Sequence, residues 1–136
     1  MSLDDVKLIE LPKILDDRGN LSFLEEGAQI PFKIHRTYWI YDVPGGEERG
    51  GHSYDVNQEI IIALSGSFDV VLNDGFSQMT YSLNRSYFGL YVPNKIWRQM
   101  NNFSTNSLAF VAASTNYDEN DYERDFEKFK LNGKHL

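Results

Sequence analysis

The stretch from Gly46 to Gly66 holds residues whose types and spacing can support acid–base chemistry. His52 and Tyr54 are two residues apart, Arg49 precedes His52 by three residues, and Glu59 follows. Residues two apart on a strand point to the same face, so His52 and Tyr54 are expected to face one pocket together. An isolated histidine is often only a loop residue held by a backbone carbonyl. Here the flanking glycines, Arg49 and Tyr54 favour a site.

The spacing of Gly46, His52, Glu59 and Gly66 is similar to the first sequence motif of the cupin family. Cupins have a second histidine at the position that Tyr54 occupies here. The segment from 93 to 102 is similar to the second cupin motif, again with departures. Two half-matches separated by about one hairpin indicate a cupin more specifically than a lone pair of histidines would.

The departures from the cupin motifs bear on metal binding. Lys95 replaces the glycine of the second motif, and Arg98 stands where a cupin has its third metal-binding histidine. A guanidinium stays protonated and has no lone pair to offer a metal ion. His52 and Glu59 alone would make a poor ligand set for a divalent cation. We therefore expect no metal and no other cofactor.

Short runs rich in β-branched and aromatic residues, separated by turn residues, dominate the chain. Several short strands with turns every eight to twelve residues predict a β-sandwich or barrel. Asn73-Asp74-Gly75 between two apolar runs predicts a tight hairpin. The predicted strands are Val6–Leu11, Leu21–Glu25, Ile34–Asp42, Glu59–Leu64, Ser67–Leu72, Met79–Leu83, Gly89–Val92 and Ser107–Ser114.

Alternation along the Ile34–Asp42 strand separates two possible inner faces. Arg36, Tyr38 and Ile40 share one face, and the residues between them share the other. The pattern alone leaves both open, and we favour the face that carries Arg36 and Tyr38.

The C-terminal part has a different pattern, with dense charges from Tyr117 to Lys130. Tyr122, Phe126 and Phe129 fall at helical spacing, which predicts a short C-terminal helix packed on the barrel by one face. Asn116 or Asp118 is placed to cap it.

Composition limits the possible partners and location. The 136 residues suit one domain, predicted to span 1–136, and 20 acidic against 13 basic residues give a net charge of −7. This surface argues against nucleic acid, since phosphate neutralisation needs clustered Lys and Arg. There is no cysteine, no secretory signal and no run of about 18 apolar residues that would span a membrane. We expect a cytoplasmic protein.

Nearly the whole chain resembles the WxcM-like, FdtA/QdtA-type cupins, which are sugar 3,4-ketoisomerases acting on dTDP-4-keto-6-deoxyglucose. The resemblance is carried by ELPKILDDRGNLSFLEE, RTYWIYDVPGGEERGGH, ALSGSFDVVLNDG, GLYVPNKIWRQMNNFS and STNYDENDYERDFEKF. It implies an all-β cupin jelly-roll barrel that forms a homodimer through exchanged N-terminal strands. It also implies interconversion of the 4-keto and 3-keto forms of a dTDP-linked sugar through an enediol, for deoxyamino-sugar and surface polysaccharide synthesis.

The same resemblance implies roles for individual residues. His52 corresponds to the first family histidine and is expected to be the base, since imidazole can act as base and acid near neutral pH. Tyr54 replaces the second histidine; either its phenol relays a proton or the isomerase activity is lost. The expected substrate-binding residues are Arg18, Arg36, Tyr38, Arg49, Tyr91, Trp97 and Arg98. Of these, Arg18 and Arg98 match positions that bear on the stereochemistry of proton delivery, and the configuration of the product stays open.

Three alternatives remain at this level. One is a catalytically silent cupin that binds a nucleotide sugar, motivated by Tyr54. Another is a related 3,5-epimerase acting on the same sugars. A metal-dependent dioxygenase is a third and weaker option, because of Arg98.

Overall fold

A computed structural model describes residues 1–134, so the last two residues of the predicted 1–136 domain lie outside the described residues. The strands are β1 Lys7–Glu10, β2 Lys13–Ile14, β3 Leu21–Ser22, β4 Arg36–Tyr41, β5 Arg49–Tyr54, β6 Glu59–Ser65, β7 Phe68–Asn73, β8 Gln78–Leu83, β9 Phe88–Val92, β10 Trp97–Asn101, β11 Leu108–Ala113 and β12 Tyr122–Glu123. Short 3-10 helices cover Leu3–Asp5 and Glu119–Asp121, and one α-helix, α1, covers Phe126–Lys134. No helix in this described range is long and apolar enough to cross a membrane.

Two five-stranded antiparallel sheets carry the fold. One has the order β1-β9-β6-β11-β4 and the other β12-β5-β10-β7-β8. The eight strands from β4 to β11 are thus divided between the two sheets in the orders 4-11-6-9 and 5-10-7-8, which is the strand order of a jelly roll. Strands β2 and β3 form a separate two-stranded hairpin. The predicted all-β class with a short C-terminal helix is confirmed.

The core lies between the two sheets and follows from alternation along the strands. On β7, Phe68, Val70 and Leu72 are buried while the residues between them are partly exposed. Leu90 and Val111 from the opposite sheet join the same apolar cluster. On β4 the partly buried positions are 36, 38 and 40, so the prediction that Arg36 and Tyr38 face inward is confirmed.

Each of the eight predicted strands overlaps an observed one. The hairpin between β7 and β8 also forms as predicted: Gly75 has φ +97°, and the Asn73 side chain accepts a hydrogen bond from its amide. Strands β2, β5, β10 and β12 were not among the predicted strands. For β5 the reason is its sequence, Arg-Gly-Gly-His-Ser-Tyr, which lacks the apolar β-branched residues that identify a strand.

Strand β5 carries a bulge at the point where it approaches Arg98. His52 pairs with Arg98 and Arg49 pairs with Met100, so β5 has one residue more than β10 between these pairs. Gly50 lies in the bulge with φ +76°, and a Cβ there would come within 2.6 Å of Arg98 Nη1. A glycine is therefore needed both for the backbone conformation and for the space.

The C-terminal segment differs from the predicted helix over Tyr117–Lys130. The helix begins only at Phe126, because residues before it make other hydrogen bonds. Asp118 is one of the two residues predicted to cap the C-terminal helix. It caps the 3-10 helix Glu119–Asp121 instead and does not cap α1. Tyr122 pairs with Tyr54 of β5 instead of sharing a helical face with Phe126.

Helix α1 packs on the outer side of the second sheet through aromatic rings. Trp97 contacts Phe126 at 5.1 Å and Phe129 at 5.7 Å between ring centroids. The Asp121 carboxylate accepts hydrogen bonds from the amides of Val56 and Asn57. These contacts fix the segment that carries β12 against β5, so side chains of β12 reach the space between the sheets.

Candidate active site

A cleft of about 620 Å³ opens between the inner faces of β4, β5 and β10. Its lining is polar and aromatic: Arg36, Tyr38, Glu48, Arg49, Gly50, His52, Tyr54, Arg98, Tyr117, Tyr122 and Arg124, with Trp39 and Ile40. It brings together six of the residues predicted for the site, at positions 36, 38, 49, 52, 54 and 98. His52 and Tyr54 contact each other edge-on with ring centroids 4.7 Å apart, consistent with the prediction of a shared pocket.

The floor of the cleft is a buried ion pair between Arg98 and Glu59. Arg98 Nε lies 3.0 Å from Glu59 Oε1, and both side chains are only 1% exposed. The two atoms are in contact without the alignment of a hydrogen bond. Burying two charges costs several kcal/mol per ion by the usual order of magnitude, roughly offset only when further polar contacts surround them. Both residues have such contacts.

Tyr38 connects the two ends of this ion pair. Its hydroxyl donates a hydrogen bond to Glu59 Oε2 and accepts one from Arg98 Nη2 at 3.2 Å. Burial raises the pKa of the Tyr38 phenol above its usual range; the Glu59 carboxylate adds to this shift, and Arg98 opposes it. Tyr38 is thus a protonated phenol that lines the cleft beside a fixed positive charge.

Tyr54 occupies a more enclosed position on the other side of Glu59. Its hydroxyl lies 3.4 Å from Glu59 Oε2 and 3.3 Å from the hydroxyl of Tyr122. Burial raises the pKa of Tyr54, and the charge of Glu59 raises it further. The Tyr54 phenol is therefore a proton donor within the protein, not a base.

His52 is held by Arg98 and by two aromatic rings. Arg98 Nη1 lies 3.3 Å from His52 Nε2, and the Tyr122 ring centroid lies 4.9 Å from that of His52. A guanidinium can only donate, so Nε2 accepts and the neutral imidazole carries its proton on Nδ1. Nδ1 is buried and has no hydrogen-bond partner within residues 1–134. Burial, then the positive charge of Arg98, lowers the pKa of His52 to about 2.

Arginines surround the mouth of the cleft. The Arg36 guanidinium lies over the rings of Tyr38 and Tyr117, at 5.6 and 5.7 Å from their centroids. Arg124 lies 4.4 Å from the centroid of Tyr122 and forms two hydrogen bonds with Glu119. With Arg49 this makes three arginines in the lining besides the buried Arg98. Such a mouth suits an anionic ligand.

Three residues predicted to bind substrate lie outside the cleft of this chain. Arg18 is on the loop between β2 and β3, where it pairs with Asp16 at 2.8 Å and its side chain is 90% exposed. Tyr91 lies between the core residues Leu90 and Val92 and so faces outward, donating to Gln58 Oε1 at 2.6 Å. Trp97 precedes Arg98 on β10 and points to the opposite face, against α1.

Tyr117, Tyr122 and Arg124 line the cleft but were not predicted as site residues. Tyr122 and Arg124 are two residues apart, a strand spacing that places both on one face. This spacing was the sequence signal that could have identified them as site residues. The helical spacing of the aromatic residues obscured it. Among residues 1–134, no group of three or more His, Asp or Glu side chains is arranged to hold a metal ion.

These features define a class: a jelly-roll protein with a histidine, a buried arginine and tyrosines in a polar cleft between its sheets. A family model described as FdtA, WxcM-like, C-terminal, matches residues 4–134. The chain therefore belongs to the FdtA family of WxcM-like C-terminal domains, as the sequence motifs indicated.

Individual relatives agree with this assignment. The chain is 40% identical over 124 residues to the TDP-4-oxo-6-deoxy-alpha-D-glucose-3,4-oxoisomerase of Aneurinibacillus thermoaerophilus, covering 91% of this chain and 89% of that protein. A 3,4-ketoisomerase from Helicobacter canadensis superposes with a TM-score of 0.93 at 38% identity, covering 96% and 98% of the two chains. A histidine-to-asparagine variant of the 3,4-ketoisomerase QdtA from Thermoanaerobacterium thermosaccharolyticum, in complex with TDP-4-keto-6-deoxyglucose, gives 0.95 at 33% identity, covering 98% and 97%.

The burial of neutral His52 predicts a pH dependence of stability. An unfolded histidine titrates near 6.5, whereas His52 in the folded protein stays neutral far below that pH. The contribution of neutral His52 to the free energy of unfolding is complete above pH 6.5. It is lost as the pH falls from there towards the folded pKa of about 2. From pH 7.5 to 5.5 this loss is about 1.4 kcal/mol. Urea unfolding of the wild type and of His52→Asn at both pH values measures it.

The difference between the two proteins isolates His52 from other titrating groups. We expect the wild type to lose more stability than His52→Asn by that amount. Equal losses in both proteins would mean that His52 is protonated as easily in the folded state as in the unfolded chain.

Proposed function

We propose that this protein is a TDP-sugar 3,4-ketoisomerase that converts TDP-4-keto-6-deoxyglucose into the 3-keto sugar without a metal ion. The observation that carries the proposal is the placement of His52 beside Arg98 in a cleft open to ligand. An imidazole next to a fixed guanidinium suits a reaction in which a proton leaves carbon and negative charge develops on a neighbouring oxygen. Two of the relatives above carry a TDP-linked 4-keto-6-deoxyglucose in their names, which supports this substrate class.

In this proposal His52 acts as the base through Nε2. In the described structure the lone pair of Nε2 accepts from Arg98 Nη1, so the sugar carbonyl must first draw that donor away. Arg98 then stabilises the enediolate oxygen while Nε2 takes the proton from C3. The negative charge of the enediolate favours the imidazolium that forms beside it. The low pKa of His52 without ligand is therefore consistent with its function as a base only when substrate is bound.

The diphosphate is proposed to bind at the mouth of the cleft. Arg36, Arg49 and Arg124 offer planar donor groups there, and bidentate pairing with phosphate oxygens is the strength of arginine. Glu119 holds Arg124 in place until a phosphate competes for it. The net negative charge of the chain does not oppose this, because the local charge at the mouth is positive.

Two alternatives are weaker on these observations. The hypothesis of a catalytically silent binding protein was motivated by Tyr54 in place of the second family histidine. The phenol that contacts both Arg98 and Glu59 is a different one, that of Tyr38. A 3,5-epimerase would act at C5, whereas the three relatives named above all carry 3,4-ketoisomerase or 3,4-oxoisomerase names.

Turnover of TDP-4-keto-6-deoxyglucose tests the proposal. Proton NMR in deuterated water is expected to show the 3-keto sugar with deuterium exchange at C3 or C4 and not at C5. His52→Asn, which keeps a polar side chain but removes the base, is expected to lower kcat by about 100- to 10,000-fold. The affinity for TDP, measured by calorimetry, should change little. The reason is that His52 lies deeper in the cleft than the arginines proposed to bind the diphosphate.

Two results would contradict the assignment. Exchange at C5 would identify an epimerase. A wild type that binds TDP without turnover, together with an active Tyr54→His variant, would identify a binding protein that lost its activity at Tyr54.

We also propose a homodimer formed through the N-terminal strands, in a cytoplasmic protein that supplies deoxyamino-sugar and surface polysaccharide synthesis. Strand β4 is an edge of its sheet, and the β2–β3 hairpin pairs with neither large sheet. Leu15, Leu21 and Leu64 expose apolar side chains on the hairpin and on the outer face of the β4-containing sheet. A second copy of the chain, placing its hairpin along β4, would pair that edge and cover these side chains.

Light scattering after gel filtration tests the dimer. We expect a mass of twice the 15.7 kDa of one chain. Leu64→Glu places a charge on the outer face of the sheet and is expected to give monomers, because a buried unpaired carboxylate is costly. Phe76→Glu changes an exposed apolar residue on the β7–β8 turn and should leave the dimer intact. A monomeric wild type, or equal behaviour of both variants, would contradict this interface.

A further inference from the structure

Residues 114–124, which follow β11, reach the cleft from outside the eight strands of the jelly roll. Tyr117, Tyr122 and Arg124 of this segment contribute to the lining of the cleft. Strand β12 within the segment pairs with β5 at only two positions. So short a ladder opens easily when backbone pairing alone supports it. Other contacts must therefore hold the segment over the cleft.

The loop between β5 and β6 holds this segment at two points. At the first point the buried Asn57 side chain accepts hydrogen bonds from the amides of Ser114 and Thr115, at 3.0 and 3.1 Å. At the second point the Asp121 carboxylate accepts from the amides of Val56 at 2.8 Å and Asn57 at 3.1 Å. The segment cannot leave the loop without breaking several hydrogen bonds at once.

The Asp121 carboxylate is the contact nearest to the side chains that reach the cleft. Tyr122 follows it directly, with its ring centroid 4.9 Å from that of His52, and the Arg124 guanidinium lies 4.4 Å from the Tyr122 ring. Each carboxylate oxygen of Asp121 accepts from a different amide, which fixes the direction of the chain as well as its position. The Asp121 carbonyl also accepts from the amide of Asp55 at 3.0 Å.

We propose, on the basis of the proposed function, that Asp121 is a positioning residue that sets the affinity of the cleft for a TDP-linked sugar. Asp121 itself is not part of the cleft lining. It keeps Arg124 and Tyr122 in place before the ligand arrives, and a preformed site loses less conformational freedom on binding. His52 is held by Arg98, independently of Asp121. Asp121 therefore acts on ligand binding and much less on the chemical step.

Asp121→Asn tests the proposal, with Asp118→Asn as the matched control, because each removes one negative charge from the same segment. Asparagine at position 121 keeps one acceptor oxygen but turns an NH2 group towards an amide donor, whereas asparagine at position 118 caps the 3-10 helix as well as aspartate does. We expect Asp121→Asn to raise the Kd for TDP and the KM for TDP-4-keto-6-deoxyglucose by about 10-fold, with kcat within about 3-fold of wild type. Asp118→Asn should leave all three within about 2-fold.

A role of Asp121 in stability alone would give a different pattern. Fewer folded molecules would lower the apparent kcat, while the Kd and KM of the remaining molecules would keep their wild-type values. That pattern, or equal changes of Kd in the two variants, would overturn the proposal. A wild type that binds TDP but does not convert TDP-4-keto-6-deoxyglucose would contradict the proposed function alone, because the Kd for TDP still tests Asp121.

Hydrogen exchange of the wild type covers the case in which the variant does not fold. If these hydrogen bonds set the affinity, TDP must in turn stabilise them and slow exchange of the Val56 and Asn57 amides. The amides of Phe76 and Ser77 are the control, since the Asp74 carboxylate accepts both on the β7–β8 turn, away from the cleft. We expect saturating TDP to slow exchange by at least about 5-fold at the first pair and by less than about 2-fold at the control pair. Equal slowing at both pairs, or none at Val56 and Asn57, would overturn the proposal.

Discussion

The ion pair of Arg98 with Glu59 is the constraint on which the arrangement of the cleft depends. Two charges this deeply buried are stable only if other polar groups surround them, since an unpaired charge in the same place would cost several kcal/mol. Tyr38 supplies such contacts to both, and His52 supplies one to Arg98. Satisfying the ion pair therefore also orients His52, which the proposed reaction needs.

The surrounding backbone is adapted to this pair. Strand β5 takes up an extra residue at Gly50, and the missing side chain there leaves room for the guanidinium. The C-terminal segment adds Tyr122 through β12, which encloses His52 on its second side. A fixed positive charge and two aromatic rings keep the imidazole neutral. A neutral imidazole is the form that the proposed reaction requires, because only the neutral ring can accept a proton.

Much of this architecture could be predicted from the sequence, because alternation and turn residues determine it. Residue spacing placed His52 with Tyr54, and Arg36 with Tyr38, on shared faces, but it left open which face of β4 points inward. Trp97 and Tyr91, which were predicted to bind substrate, each adjoin an inward-facing residue on their strands and so face away from the cleft of this chain. Tyr122 was assigned to a helix because its spacing from Phe126 and Phe129 is helical, whereas its backbone pairs with the distant strand β5. The link between Tyr38 and Glu59 likewise joins residues from different strands.

The state of the His52 imidazole tests the central claim most directly. Long-range proton–nitrogen correlation NMR on the uniformly nitrogen-15-labelled protein, with His52→Asn used to assign the signals, reports which ring nitrogen carries hydrogen. If Arg98, held by Glu59, donates to Nε2, His52 will be neutral with its proton on Nδ1 at pH 7.5 and at pH 5.5. A proton on Nε2, or an imidazolium at pH 5.5, would contradict this account of the site.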